Sequence, residues 1–205
     1  MVTVPDTRGQ AVTLEAIAAG LILLSSIVFA LQITAVTPLS ASTSSQHIEN
    51  QLEASAEGVL ASTVADGSLK RALLYYNESR SAFAESDGAR GEYRGSPPDI
   101  RFGRTLEWAF DDRGIAYNIY VTYDVGGADR TRRMFYRGEP SDNAVSASTT
   151  VVITDEAPLY DHADSDGVLE PRSLTVGDTG DYLMDNQSGT GLYNVAEVEV
   201  VVWRI

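Results

Sequence analysis

Hydrophobic and polar positions divide this chain into one uninterrupted apolar stretch and a long patterned remainder. From Ala16 to His47 no carboxylate, lysine or arginine occurs, and the segment Gln10 to Val36, QAVTLEAIAAGLILLSSIVFALQITAV, carries Glu15 as its only charge. Crossing a bilayer takes roughly 20 apolar residues at about 1.5 Å each, so residues 10–37 read as a membrane-compatible helix. Pro38 ends that run, and the polar LSASTSSQ that follows reads as a hinge over residues 38–46.

Beyond residue 46 the periodicity is that of a folded domain. Ile48, Leu52, Ala56 and Val59 step at helical spacing beside Glu49, Glu53 and Glu57, until Asp66-Gly67 interrupts. Ser68 is the expected cap of a second helix, with Leu69, Ala72, Leu73 and Tyr76 on one face. Residues 78–98, rich in Ser, Gly and charge, read as a surface loop. Asp99 is the expected cap of a third helix, with Phe102, Leu106, Ala109 and Phe110 inward and Arg113-Gly114 closing it.

At Ile115 the period changes from helical to alternating. Ile115, Tyr117, Ile119, Val121, Tyr123 and Val125 predict a strand, Gly126-Gly127 a turn, and residues 131–137 the returning strand of a hairpin. Residues 145–154 are β-branched and predict a third strand. Residues 160–191 read mostly as loop, with a short strand near 173–176. The C-terminal VAEVEVVVWRI predicts a central strand. The sum is α+β: a long apolar N-terminal helix, further helical segments, then an antiparallel sheet in a head spanning 47–205.

Composition narrows the chemistry. The 205 residues carry a formal charge of −14, and Lys70 is the only lysine. An acidic, lysine-poor surface suits concentrated salt, pointing to a halophilic source, and argues against nucleic acid as a partner. With no cysteine, thiolate metal sites, disulfides and thiol catalysis are excluded, and two histidines leave little for histidine-based catalysis. No phosphate loop, nucleophile elbow or paired metal ligands occur, so neither an enzyme nor a cofactor is expected. Asp161, Asp164, Asp166 and Glu170 miss the calcium-loop spacing at His162 and Ser173 and read as a solvated acidic loop. Arg130, Arg132, Arg133 and Arg137 form a basic patch expected to pair with carboxylates. Tyr117, Tyr123, Phe135, Tyr136 and Trp203 fall at strand spacing and are expected to pack the sheet.

The N-terminal segment RGQAVTLEAIAAGLILL carries a resemblance. Arg8-Gly9-Gln10, then Glu15, then an uninterrupted apolar helix resembles the class III signal of archaeal type IV pilin-like proteins and archaellins. The Arg-x-Gln-Ala-x-Thr-Leu-Glu pattern is similar to that of haloarchaeal pilin-like proteins. The resemblance implies a leader at 1–9, cut between Gly9 and Gln10 by a prepilin peptidase on the cytoplasmic side. The retained helix then packs with other copies in a filament, with assembly machinery as a further partner. Glu15 becomes the acidic residue near the helix head, sixth in the mature chain where the commonest pilin arrangement has it fifth. An amine created at Gln10 is a natural partner for that carboxylate.

Arg8 precedes the span and no basic residue follows it until Lys70, which places the N-terminus in the cytoplasm and the head outside the cell. Asn77-Glu78-Ser79 and Asn186-Gln187-Ser188 are glycosylation sequons consistent with that orientation. The expected function is a structural subunit of an adhesive surface filament. The alternative is an uncleaved single-pass membrane protein whose outer head binds a ligand or partner.

Overall fold

Helical periodicity and alternation translate into elements largely where the pattern places them. The computed structural model describes residues 7–163, 167–180, 182–187, 189 and 191–204, with side chains at Gly9, at 11–31 and from Gln46 onward. Helix α1 runs Thr7–Ala65, α2 Ser68–Leu74 and α3 Arg101–Ala109. The chain divides into two compact units between Ile48 and Glu49, inside α1.

The hinge expected at 38–46 is instead helical backbone within α1. Pro38 removes a single N–H, and the chain has no glycine between Gly20 and Gly58 to uncouple the turns. A helix already nucleated on both sides propagates at the cost of about one residue's ordering per bond gained, which outweighs one proline defect.

In the second unit, Leu52, Ala56, Val59 and Leu60 of α1 are buried, as are Leu69, Ala72 and Leu73 of α2. The turn between these helices requires Gly67, whose φ of 72° lies in the left-handed region. Ser68 does not cap α2: its own N–H donates to Asp66 Oδ1 at 2.8 Å, so Asp66 satisfies the helix start. Nor does Asp99 cap α3, because its carboxylate faces Arg104 at 2.7 Å and Ile100 occupies the cap position. Phe102, Leu106, Ala109 and Phe110 turn inward as the spacing predicts. At Gly103 a Cβ would lie 2.0 Å from the Pro98 carbonyl oxygen, so α3 rests on the preceding turn through a glycine.

The main sheet is antiparallel in the order β4-β3-β8-β5. Its strands are β3 (Ile115–Val125), β4 (Ala128–Phe135), β5 (Val145–Thr154) and β8 (Leu192–Arg204). The C-terminal strand is central, between β3 and β5, with Val198, Val200 and Val202 fully buried on one face. β4 begins three residues earlier than expected, since Gly126 and Gly127, with φ of 62° and 87°, close a tight two-residue turn. The alternation in β3 has two exceptions on its polar side: Ala116 is buried, and Asn118 is fully buried. The chain after β4 folds over it, and its amide donates to the Gly138 carbonyl at 2.8 Å and accepts the Arg137 N–H at 2.8 Å.

Two stretches read as loops carry more structure. Within 78–98, Phe83, Tyr93 and Glu92 are buried, so the segment is packed rather than superficial. It begins with a small hairpin, β1 (Tyr76–Asn77) and β2 (Ala82–Phe83). Within 160–191, β6 (Pro158–His162) pairs with β7 (Leu169–Thr175). Neither shows strong alternation, because the strands are short and their polar residues make cross-strand pairs. Of the calcium-like acidic positions, Asp161 and Glu170 are register partners in this hairpin and Asp161 faces Arg172 at 3.5 Å, while Asp164 and Asp166 lie outside the described residues.

One run of rings threads these pieces together. Tyr193, Tyr182, Tyr76, Phe83, Tyr93, Phe135, Tyr117 and Phe110 contact one another in that order at centroid separations of 5.0–6.1 Å. Tyr182 and Tyr93 spend their hydroxyls on backbone carbonyls, of Leu73 at 3.1 Å and Ala84 at 2.6 Å. Edge and offset contacts of this kind add about 0.5–1.5 kcal/mol each beyond area burial. Tyr123 and Trp203 are also buried, while Tyr136 is half-buried with Arg133 over its ring at 3.8 Å.

Two stability measurements follow. Phe110→Ala should cost about 3–5 kcal/mol in denaturant unfolding, since it opens a fully buried site at the end of the ring run. Arg172, 2.9 Å from Glu78, holds the Glu78 carboxyl below its ordinary 4.5 and ties β7 to the β1–β2 segment. A carboxyl whose folded value is lowered stabilises fully above the unfolded value, and that stability is lost as pH falls through the lowered one. Glu78→Gln should therefore flatten the acid limb of thermal melts recorded from about pH 3 to 7.

Candidate functional site: an exposed apolar helix

Ala11–Leu31 is a 21-residue helical stretch of mean hydropathy 2.3, and none of it is buried within the chain. Exposure is spread around the helix: Val12 is 66 %, Leu14 69 %, Ile17 58 % and Phe29 65 % accessible. A helix of a soluble domain buries one stripe against its own core. This one is apolar on every side and has no core to meet among the described residues. Its length, roughly 30 Å, matches the hydrocarbon thickness of a bilayer.

The few polar groups along it are disposed accordingly. Thr13 Oγ1 donates to the Gly9 carbonyl, and Ser26 Oγ donates to the Leu23 carbonyl at 2.8 Å. These two hydroxyls are satisfied by their own helix, whereas the Ser25 hydroxyl makes no hydrogen bond among the described residues. Glu15 is the exception, an exposed carboxylate in an apolar surround. Were the helix to span a membrane, this position close to its start would keep the carboxylate near the water side, where the cost is far below that at the centre.

The three residues of the expected processing point fall in the first turns of α1, which starts at Thr7. Gly9 is exposed, and a Cβ there would meet nothing within 4 Å. The side chains of Arg8 and Gln10 lie outside the described residues. First-turn N–H groups have no intrahelical acceptor, so this is the part of the helix that opens most easily.

The two sequons differ. Asn77, half-buried on β1, accepts the Arg80 N–H through Oδ1 at 3.1 Å, and its amide nitrogen makes no hydrogen bond among the described residues. Asn186 is exposed, but its amide nitrogen donates to Asp155 Oδ1 at 2.9 Å. Ser188 of the second sequon lies outside the described residues.

Sequence reasoning missed one concave feature of the head. A cleft of about 780 Å³ is lined by Asp66, Arg71, Arg101, Arg104, Trp108 and Val168, among others. Trp108 is 65 % exposed, and the Arg113 guanidinium sits 5.0 Å from its ring. The cleft's cations are largely answered from within, Arg101 by Asp66 at 2.8 Å and Arg104 by Asp99 at 2.7 Å. Trp108 alone, out of phase with the buried face of α3, was the available signal. The arginines of the β3–β4 region do not act as one patch. Arg137 pairs with Asp111 at 2.7 Å, and Arg132 donates to the carbonyls of Ser81 and Arg90.

A charge placed in the middle of the apolar stretch tests its role directly. Leu21→Arg should move the protein from the carbonate-resistant membrane fraction to the soluble or aggregated fraction, at a cost of about 2.5–3.5 kcal/mol on an insertion scale.

Among known sequences, residues 8–202 match a family described as of unknown function, DUF7288. The chain belongs to this family. No curated protein and no solved structure matches it.

Proposed function

We propose that this member of the DUF7288 family is a pilin-like subunit of a cell-surface filament. It would be cut between Gly9 and Gln10, assembled through residues 10–37, and present its α+β head outside the cell. The observation that carries the reading is the helix Ala11–Leu31, apolar on all sides, unburied within its chain, and bearing one carboxylate near its start. Lipid covers such a helix before assembly, and copies of the same helix cover it afterwards. Packing of many copies gives Glu15 its role. A carboxylate carried into that environment is costly unless paired, and the amine of Gln10 created by cleavage supplies the cation. The partners are then other copies or related subunits, a prepilin peptidase and an assembly machine. The work of the filament is adhesion through the acidic heads.

A second reading is an uncleaved single-pass anchor with a ligand- or partner-binding head. Two observations favour it. Helix α1 passes through Gly9 and Gln10 without a break, and the head has a cleft with an exposed tryptophan.

Intact-mass spectrometry of the protein from its native membrane separates the two. A chain starting at Gln10 and retaining 11–36 is the expected result, and one starting at Met1 or Val2 leaves the anchor. Glu15→Gln should leave cleavage unchanged and lower filament yield at least tenfold, the equivalent of about 1.4 kcal/mol or more in assembly. Equal filament yield from the variant would remove Glu15 from the assembly mechanism.

With the head outside, the sequons become acceptors. Glycopeptide mapping should find Asn77 occupied ahead of Asn186, whose amide nitrogen is held by Asp155. Occupancy confined to Asn186 would reverse that assignment.

A further inference from the structure

The four-stranded sheet has two edges, and the sequence treats them differently. The β4 edge carries Asp129, Arg130, Arg132 and Arg133. Its end is also covered: the Tyr93 N–H donates to the Met134 carbonyl at 2.9 Å, and the Tyr136 N–H donates to the Tyr93 carbonyl at 2.9 Å. Charge and cover are the usual means by which an edge strand is kept from accepting a foreign strand.

The β5 edge has neither. β5 reads VSASTTVVIT, without a charge, a proline or a glycine, and seven of its ten residues are β-branched. It pairs with β8 on one side, and among the described residues no element pairs with the other. Its register is regular from Val145 to Ile153, with a shift only between Ile153 and Thr154. Ser146, Ser148, Thr150 and Val152 form a short, exposed outer row. Val152 and its register partner Val195 on β8 are 48 % and 43 % accessible, so an apolar patch reaches this edge.

We propose that β5 is a docking edge for β5 of a second copy of this chain, paired antiparallel. Two-fold pairing requires a surface complementary to itself, and like charges facing each other are what ordinarily forbid it. A chain of net charge −14 opposes its own approach nearly everywhere, whereas β5 offers ten consecutive uncharged residues. A two-fold axis perpendicular to the sheet leaves the Ser/Thr row on one face and Ala147, Val151 and Ile153 on the other, preserving the alternation. Alternate residues of each strand point their N–H and C=O groups outward, so the new ladder makes about ten backbone hydrogen bonds. The product is a continuous eight-stranded sheet across two heads. This pairing uses no part of residues 10–37, so it stands or falls separately from the filament reading.

The absence of cysteine makes the test specific, since any introduced thiol is the only one in the chain. Full-length Thr150→Cys, in detergent at high salt, should give a covalent dimer with a short bis-maleimide. Arg130→Cys on the β4 edge should stay monomeric under the same conditions. Adding Ser148→Lys and Val152→Lys to Thr150→Cys should cut the dimer roughly tenfold, because these exposed positions place like charges across the seam. Circular dichroism melts of each variant show that the head remains folded. No dimer from folded Thr150→Cys would overturn the proposal. So would equal cross-linking at Arg130→Cys, a mixed Thr150→Cys/Arg130→Cys product, or a folded lysine variant that dimerises as before.

Discussion

An apolar helix that its own chain leaves uncovered can persist only where something else covers it. Ala11–Leu31 is such a helix. The Thr13 and Ser26 hydroxyls bond back to their own turns, so neither obstructs lipid or a neighbouring helix. Its one carboxylate, Glu15, lies close to the start of the helix. The backbone asks for nothing, because an α-helix satisfies its own interior groups. What remains is a featureless hydrocarbon cylinder, suited equally to a bilayer and to a bundle of like cylinders.

The head answers a different problem, that of building a stable unit without cysteine and at high negative charge. Its solution is aromatic. Eight rings in series join α3, the β1–β2 hairpin, the packed segment around Tyr93, the sheet and the chain before β8. Large rings bury much area for few rotatable bonds, which offsets the ordering of long irregular segments. Arginine is used sparingly and locally. Arg137 on Asp111 and Arg172 on Glu78 each fasten one segment to another, while Arg94 pairs with the buried Glu92 within its own segment. Other carboxylates, Glu53, Glu57 and Glu197 among them, are exposed, where they keep the surface hydrated.

Much of this organisation was legible along the chain because it rests on local physics. The period-two run Ile115–Val125, the glycine turn after it, the β-branched 145–154 and the apolar end of the chain are all strands where their patterns say so. So is the inward face Phe102, Leu106, Ala109 and Phe110. These succeed because one burial boundary imposes one period on many residues. Of the readings that failed, those of the two caps and of the hinge each concerned a single residue choosing between partners. Ser68 and Asp99 look like caps, yet Asp66 already holds the Ser68 N–H and Arg104 holds Asp99. Pro38 looks like a terminator, but cooperativity along α1 outweighs one missing donor.

By itself, then, the sequence determined the apolar helix, the acidic and cysteine-free character of the head, and the α+β order of elements. Each of those follows from composition or from periodicity over ten residues or more. Tertiary structure alone decided that 78–98 is packed, that β6 and β7 pair, that Trp108 opens on a cleft, and that Arg132 answers carbonyls instead of carboxylates. It also decided which strands end the sheet. Those outcomes depend on contacts between residues distant in the chain, such as Tyr93 with Phe135 or Arg172 with Glu78, and no local pattern encodes the choice among such partners.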